Sequence, residues 1–396
     1  MQFQKSNKVK LLLCSLICFN LYASDSLDDE ILSDNRKKTF ELEKEKANED
    51  SKKLKKDWIN PITYQFTKNL GEDYKNEKSL ISINQPIFRS GGIYEAIRYA
   101  DSTHKYSNLQ IEQQRKLLIK EATNYLFLIE KTQLNIEKAK LSIANARIDV
   151  DRKKEQVLNG FLDSSFLDNA LLDLNSAKHN LVDLKYQKKE LINSFHNISS
   201  KNYDKFELPK FKLSNKEEFI ENNIELKKAE ADVVQKGNFA YMTKAKYLPS
   251  INAFYNYNKN HYAGGKPNLL QTEEQNFGLT LNIPIDVRTF NDIESQKIEY
   301  LKSKLNLKNQ QKDEETFFKT KLEKIKMLDE RIQITNEDLA LYNSILNIIK
   351  EEKEAQLKTQ SDFDTLQNSQ KIKSIDLKTF EIDKQIELLE IYSKLL

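Results

Sequence analysis

Residues 276–285 read NFGLTLNIPI and residues 79–88 read SLISINQPIF, with their prolines 198 positions apart in a chain of 396 residues. In each copy, a short run of alternating apolar and polar residues leads into the proline. A long stretch without helix breakers then follows, because Gly and Pro are absent from 93–159 and from 287–396. A strand, a proline exit and a very long helix that recur at a fixed distance predict an internally duplicated architecture.

The composition favours long helices over a loop-rich globular domain. Charged residues make up 31% of the chain, whereas only eight glycines and six prolines are present. Apart from three lysines near the N-terminus, basic and acidic residues balance at 60 each. This balance gives no reason to expect a nucleic-acid partner or an anionic membrane surface. No run of about 18 apolar residues occurs beyond the N-terminal segment, which excludes a membrane-spanning helix but not a span built from strands.

The N-terminus has the pattern of a secretory signal peptide. The three lysines supply its basic part, residues 11–22 its apolar part, and Ala23 a small residue before the predicted cleavage, so the signal peptide covers 1–23. Both cysteines, Cys14 and Cys18, lie in this segment. The mature chain would therefore have no disulfide or thiol chemistry, and lipid attachment to Cys18 stays open.

Four short segments alternate between apolar and polar residues, and a polar connection joins each pair as in a β-hairpin. Each segment would form a strand of about ten residues with one apolar face and one face of Thr, Asn and Gln, and Phe254 alone breaks the alternation. A membrane β-barrel with lipid outside and water inside has this pattern. Two soluble hairpins covered by helices have it too, and the pattern does not decide between them. The segments are 58–67, 81–84, 251–258 and 277–285, and the connections are 71–78 and the loop with Gly264, Gly265 and Pro267.

In the barrel interpretation, the polar faces of these strands line a pore. The lining residues are neutral, so the pore would be wide, wet and weakly selective. Pro61 and Pro249 lie at strand starts, and Pro86 and Pro284 at strand ends, as expected for a residue that cannot donate to an interior ladder. The predicted pore-lining residues are Thr63, Gln65, Asn252, Asn256 and Asn258.

The first long helix carries an apolar a/d seam for more than four heptads, with Thr132 as its only polar member, which predicts coiled-coil packing. The second copy has a less regular seam. A helix over about 90–158 would be roughly 100 Å long, which a tube across an aqueous compartment needs and a compact domain does not. The seams are Leu118, Ala122, Tyr125, Ile129, Thr132, Ile136, Ala139, Ile143, Ala146 and Val150, and then Leu322, Ile325, Ile332, Leu339, Tyr342, Leu346 and Ile349.

Each long helix is predicted to end at a short break, the first at 159–165 and the second at 358–362. Asp163 and Ser361 occupy matching positions at the 198-residue offset. Each is therefore predicted to cap the helix that returns from the break. A further helix, at about 216–246, leads into the third strand.

Three stretches resemble the TolC-like outer-membrane efflux proteins, and they follow one another in that family's order over about 58–396. Residues 223–231 (NIELKKAEA) with 246–250 (KYLPS) resemble the family's entry to its second hairpin. Residues 277–285 (FGLTLNIPI) resemble the following strand and proline exit, and 84–92 (NQPIFRSGG) resemble the earlier copy. The joint order and the repeat distance carry the resemblance.

The resemblance implies a fold that is mainly α with a small β part. Each protomer of a homotrimer would supply four strands to one outer-membrane β-barrel, which long helices continue as a hollow periplasmic coiled-coil barrel. The implied division is a signal peptide (1–23), a charged N-terminal helix or flexible segment (24–57), a first hairpin (58–89), a first helical repeat (90–247), a second hairpin (248–286) and a second helical repeat (287–396).

The resemblance also implies a function, namely a passive duct for export in a tripartite efflux or type I secretion system. The protein would lie in the outer membrane, in contact with its lipid, and extend into the periplasm. A periplasmic adaptor and an inner-membrane transporter would be its partners. The adaptor would dock on the helical tips, at Gly160, Phe161, Leu162, Lys358 and Ser361.

Residues near the second tip would close the periplasmic aperture in such a protein. Asp364 aligns with one acidic ring position of the family, the second falls on Gln367, and an arginine that contributes to closure in some members falls on Gln360. Phe166 stands where the family has an aspartate in the first copy, and Lys358 replaces the usual tip glycine. Closure is therefore expected to use partly different contacts.

No catalytic, cofactor or metal chemistry stands out, and an enzyme is not expected. The histidines at 104, 179, 196 and 261 lack a second ligand at metal spacing. A non-channel periplasmic coiled-coil scaffold stays open as the alternative to an export duct, and the exported cargo is left undefined. The charged segment 26–57 replaces the family's usual first helix, so a helix there is expected to be shortened or poorly packed.

Overall fold

The computed structural model describes residues 30–71, 75–263 and 273–396, and the predicted signal peptide with both cysteines lies outside these ranges, as do Gly264, Gly265 and Pro267. The described chain is mainly helical with one antiparallel sheet, which confirms the predicted class. Its elements are α1 (Asp34–Lys56), β1 (Thr63–Leu70), β2 (Lys75–Phe88), α2 (Gly92–Leu158), α3 (Ser164–Ile198), α4 (Lys216–Asn222), α5 (Ile224–Lys246), β3 (Ser250–Ala263), β4 (Glu273–Asn282), α6 (Thr289–Glu354) and α7 (Gln360–Tyr392).

The sheet has the order β1-β2-β3-β4, so the two hairpins lie side by side. All helices that lead into or out of it join one end, and the pairs Leu70–Lys75 and Lys259–Glu273 lie at the other. β2 begins at Lys75, so the polar connection is shorter than predicted. Pro86 was expected at the strand end but pairs with Asn252 inside β2. A shift of register between Pro86 and Phe88 accommodates the residue that has no N–H to donate.

No helix packs over either face of the sheet within the described residues, because its extensive contacts run only from strand to strand. The interpretation as soluble hairpins covered by the chain's own helices is therefore wrong. Large apolar side chains stay exposed along β1 and β4, among them Tyr64 at 67% and Phe277 at 78% of their area. Such a sheet needs a cover that the described residues of the chain do not supply.

The four longest helices lie side by side in the order α6, α7, α2, α3. α2 has 67 residues, close to the predicted span, and is about 100 Å long at 1.5 Å per residue. Its predicted seam faces its neighbours: Ala122, Ile129, Ile136 and Ile143 are buried, and the other seam members are buried or half-buried. The α6 seam residues are likewise buried or half-buried.

The charged N-terminal segment forms a helix, α1, that packs along the first part of α2. At 23 residues it is as long as α5, which packs on α2 and α6. Ion pairs join Lys44 to Glu112 at 3.1 Å and Lys55 to Asp101 at 2.6 Å, and Ile31 is fully buried just before the helix. The expectation of poor packing is therefore wrong. Most residues of α1 are charged, but one side of the helix forms a contact surface with α2.

Three apolar clusters near the middle of the helical layer form the core, where the connection from α3 to α5 crosses the layer. An ion pair is buried beside them. Lys394 donates to both carboxylate oxygens of Glu314, at 2.7 and 2.9 Å, and Asn223 donates to the same carboxylate at 2.9 Å. Asn223 also caps α5, so this side-chain group fixes the position of the last residues of the chain against α5 and α6.

Candidate functional site

The turn between α2 and α3 has the helix-ending geometry that favours glycine. Gly160 has a φ of +73°, the N–H of Phe161 donates to the carbonyl of Gln156 at 2.8 Å, and that of Gly160 donates to the carbonyl of Val157 at 3.0 Å. This pattern is a Schellman motif. Asp163 then caps α3 by accepting from the N–H of Ser165 at 2.8 Å, as predicted.

The turn between α6 and α7 has the same geometry, but two residues earlier than the predicted offset. Gln356 takes the left-handed place with a φ of +60°, and the N–H of Leu357 donates to the carbonyl of Glu352 at 2.8 Å. The break therefore covers 355–359, and its prediction at 358–362 was wrong. Gln356, not Lys358, is the counterpart of Gly160.

The predicted cap at Ser361 is also wrong. Thr359 caps α7: its side chain accepts from the N–H of Asp362, and the Asp362 carboxylate accepts from the N–H of Thr359 at 3.2 Å. A capping box of this kind satisfies two N–H groups at once, which a serine two residues later cannot do. Ser361 itself lies exposed in the first turn of the helix.

Both turns lie at the same end of the helical layer, and their tips are apolar. The tips carry Phe161 and Leu357, which are exposed over 79% and 74% of their area. Leu162 is half-buried, whereas Gly160 and Lys358 are exposed. The five predicted docking residues thus lie at one end of the helical layer, and Leu357, the structural counterpart of Phe161, was missed because the offset misplaced it.

The predicted aperture residues lie on the first two turns of α7. Gln360 donates to the Asp364 carboxylate at 2.6 Å, and Gln367 is half-buried one turn further on. The contact that joins α7 to α2 here was not predicted: Arg152 donates to Asp362 at 2.9 Å. Hydrogen bonds from the Thr359 side chain and backbone lower the pKa of Asp362, and the charge of Arg152 adds to this effect.

The Arg152 contact is the outermost member of a polar ladder between α2 and α7. The antiparallel helices bring polar side chains together at intervals of seven residues, as a coiled-coil flank does. Acidic residues of α7 meet basic residues of α2 at every charged rung, and one rung is neutral. The rungs are Arg152–Asp362 at 2.9 Å, Asn145–Ser369 at 3.4 Å, Lys138–Asp376 at 2.6 Å and Lys131–Asp383 at 2.5 Å.

The edge of α7 that faces α6 carries both charges. Lys373 pairs with Asp338 at 2.8 Å and Lys384 with Asp329 at 2.5 Å, both on α6. Nearer the end of α7 the charges are reversed, because Glu387 pairs with Lys321 at 2.8 Å and with Lys324 at 2.6 Å. Each charged residue thus has its partner at one place on α6, which favours a single register between the two helices.

The five predicted pore-lining residues share one face of the sheet. Thr63 pairs with Ser82, which pairs with Asn256, and the Ser82 hydroxyl donates to Asn256 at 2.7 Å. Gln65, Asn252 and Asn258 follow at even intervals on the same face, because paired residues and every second residue point the same way. The same register adds residues that were not predicted, since the strands extend beyond the expected ends. They include Lys78, Leu80 and Glu274, and Phe254 and Gly278 share this face although they lie within the predicted strands.

The opposite face carries an apolar band that ends in a polar rim near the hairpin turns. Its apolar rows include Ile81, Tyr257 and Leu279. At the rim, Lys68 pairs with Glu77 at 2.7 Å and Lys259 with Glu273 at 2.6 Å. Beside these pairs, Ser79 links the Tyr64 hydroxyl at 3.1 Å to Nε2 of His261 at 2.8 Å.

Both the helical layer and the sheet end in open edges. β1 and β4 are the edge strands, and α3 and α6 are the edge helices. Each edge helix carries exposed apolar residues besides its packed seam, and on α6 these recur every seven residues. They are Met327, Ile334, Leu341 and Ile348 on α6, and Leu171, Leu172, Val182 and Tyr186 on α3.

The described ranges contain neither a candidate metal site nor a helix that could span a membrane. No group of three His, Cys, Asp or Glu residues there is placed to hold a metal ion. Across the same residues, no helix combines the length and the apolar character needed to cross a membrane.

Solved structures are similar to this chain over nearly its whole length. The outer membrane protein VceC from Vibrio cholerae has a TM-score of 0.71 at 13% identity and covers 93% of this chain and 96% of its own. The CmeC outer membrane channel of Campylobacter jejuni has a TM-score of 0.70 at 14% identity and covers 93% and 85%. A membrane protein from Pseudomonas aeruginosa has a TM-score of 0.72 at 14% identity and covers 94% and 93%.

No family model matches the chain, and no curated protein matches it in sequence. The structural likeness therefore rests on the arrangement of elements, since identity is low throughout. The chain has the fold of outer-membrane channel proteins, which confirms at the level of fold the resemblance to the TolC-like family.

Proposed function

We propose that this protein is the outer-membrane channel of a tripartite efflux or type I secretion system, a passive duct that lets solutes cross the periplasm and outer membrane. Residues 58–89 and 248–286 form its membrane part, and 90–247 and 287–396 form its periplasmic part. The matching lengths of α2 and α6, 67 and 66 residues, support an internal duplication.

One observation carries the proposal, namely the uncovered sheet with one apolar and one polar face. Lipid covers the apolar face, with Phe277 and Leu279, and water covers the face with Asn256 and Thr63. The apolar band ends at the paired charges of the rim, where the polar part of a bilayer begins. A periplasmic scaffold in water would leave the apolar face of this sheet without a cover.

The open edges support a homotrimer. A strand edge leaves N–H and C=O groups unpaired, and inside a membrane these groups must be satisfied by closure. Three copies give twelve strands and a ring of twelve helices, in which α3 of one protomer meets α6 of the next. The exposed apolar residues of the two edge helices supply the contact, with Leu341 near the centre of the α6 set.

The tips and the aperture residues have roles in this proposal. A periplasmic adaptor docks on the exposed apolar tips around Phe161 and Leu357, and an inner-membrane transporter feeds the duct. Asp364, Gln360 and Gln367 line the periplasmic aperture at the start of α7. Arg152 and Asp362 join this helix to α2 and hold it in the position that the structure shows.

The test is conductance of the purified full-length protein in planar lipid bilayers, together with its oligomeric state. Membrane extraction in detergent should yield a trimer whose migration changes on heating, and the trimer should form stable, weakly ion-selective channels. A water-soluble monomer without conductance would instead support the scaffold alternative.

A further inference from the structure

The polar face of the sheet carries a large aromatic side chain, Phe254 of β3, besides the aliphatic Leu80, which pairs with Gln65 and Asn258. By register it lies in a row with Asn84 of β2 and Gly278 of β4, two residues from both Asn252 and Asn256. A half-buried aromatic ring beside amides and hydroxyls is unusual for the lining of a water-filled lumen, so its placement calls for an explanation.

The Phe254 ring leans over Gly278 of the neighbouring strand. A Cβ atom built on Gly278 would be 3.0 Å from both Cε1 and Cζ of Phe254, closer than ordinary side-chain contacts. Gly278 is also the one residue of β4 that is not fully exposed, because the ring covers it. The aromatic side chain thus occupies the space that the missing side chain leaves, as when an aromatic residue rescues a glycine in a strand.

We propose that Phe254 and Gly278 together set the bore of the barrel. Three Phe254 rings, one from each protomer, form an apolar girdle at one level of a mainly polar lumen. Gly278 keeps each ring against the wall, so that the girdle does not obstruct the pore. The girdle offers amphipathic solutes an apolar contact during passage. This inference rests on the proposed function, because it requires that the polar face lines a pore.

The test is a double-mutant cycle read as single-channel conductance and as the size of neutral polymer that the pore excludes. Gly278→Val places a branched side chain under the ring and pushes it towards the pore axis, so conductance and the excluded polymer size should fall. Phe254→Ala removes the ring, so both should rise. In the double variant no ring remains to be displaced, so the loss caused by Gly278→Val should largely disappear.

Matched controls change neighbouring residues on the opposite face. Leu279→Val and Tyr255→Leu alter the lipid side next to each member of the pair and should leave conductance unchanged. Trimer assembly is measured for every variant first. Gly278→Ala, whose added atom displaces the ring by less, replaces Gly278→Val if that variant does not assemble.

The outcomes separate the two proposals. If the wild type forms trimers that conduct, but Gly278→Val leaves conductance unchanged or the double variant keeps its full loss, the role of the pair is refuted and the channel stands. If the wild type itself does not conduct, the proposed function fails, and the bore argument fails with it.

Discussion

At the scale of single residues, the two helical tips differ in how well each sequence suits the same backbone. Both helices end with a left-handed residue, but the first tip has Gly160 and the second has Gln356. A residue with a Cβ atom pays a steric cost in this conformation that glycine does not. The second tip is therefore less stable than the same turn would be with glycine in the left-handed position.

Gln356→Gly should stabilise the end of α6 by about 1 kcal/mol, because it removes this steric cost. Amide hydrogen exchange over the last turn of the helix should slow by about fivefold, because about 1 kcal/mol lowers the equilibrium constant for local opening by that factor. Lys358→Gly is the control, since Lys358 lies outside the left-handed position. If the control slows exchange as much as Gln356→Gly does, the assignment of the tip is wrong.

Asp362 should make the first turn of α7 sensitive to acid. Its pKa is lowered in the folded protein by the Thr359 hydrogen bonds and by Arg152. A carboxylate of this kind contributes its full stabilisation above the pKa it has when unfolded, about 3.9, and loses it as the pH falls through the lower folded value.

The exchange protection of that turn should therefore be constant from neutral pH to about pH 5 and decline below about pH 4. Comparison with Asp362→Asn isolates the effect, after correction for the intrinsic pH dependence of exchange. The variant should have lower protection at neutral pH and a flat profile in acid. An equal decline in both proteins would assign the acid sensitivity to other carboxylates.

At the scale of elements, the polar ladder predicts a specific coupling between α2 and α7. Asp376→Lys places an ammonium group against Lys138 and should destabilise the helix pair, whereas adding Lys138→Asp should restore it. Because the pair is partly exposed, the coupling should be only about 0.5–1 kcal/mol. Thermal unfolding midpoints of the wild type, both single variants and the double variant measure it, and additive effects would contradict a direct pairing.

The sheet and the long helices could be predicted from sequence because burial on one side imposes a period on the residues. Alternation with a period of two marks 251–258, and the a/d seam marks the middle of α2. Strand ends were misplaced because the polar rim residues continue the strands without apolar markers. The packing of α1 was missed because most of its residues are charged. Only the residues that face α2 make specific contacts, and they give no apolar pattern in the sequence.

The tip contacts could not be predicted for two physical reasons. The first reason is that the second tip lies two residues earlier than the 198-residue offset places it, and the offset alone cannot reveal this difference. In addition, a glutamine in the left-handed position gives no signal in the sequence. Arg152 and Asp362 are 210 residues apart and meet only once the register of two antiparallel helices is set. The shared face of Thr63 and Asn256, in contrast, followed directly from alternation within each strand.

At the scale of the whole molecule, the edge helices should control assembly. Leu341→Glu places a charge within the exposed apolar set of α6 and should abolish the trimer, because an unpaired carboxylate would be buried between protomers. Helix content measured by circular dichroism should be nearly unchanged. Asn347→Glu, on another side of the same helix, is the matched control and should still assemble. A normal trimer in Leu341→Glu would place the protomer contact elsewhere.

The open edges of the sheet have a consequence for how the protein is made. A single subunit that forms its four strands in water exposes two edge strands, β1 and β4. Their unpaired N–H and C=O groups can pair with any other extended chain. The helical half has no such hazard, since its hydrogen bonds are satisfied locally. In the proposed trimer, the hairpins must therefore become ordered only when partner subunits and lipid are both present. The supply of subunits then governs whether a closed barrel or an aggregate forms.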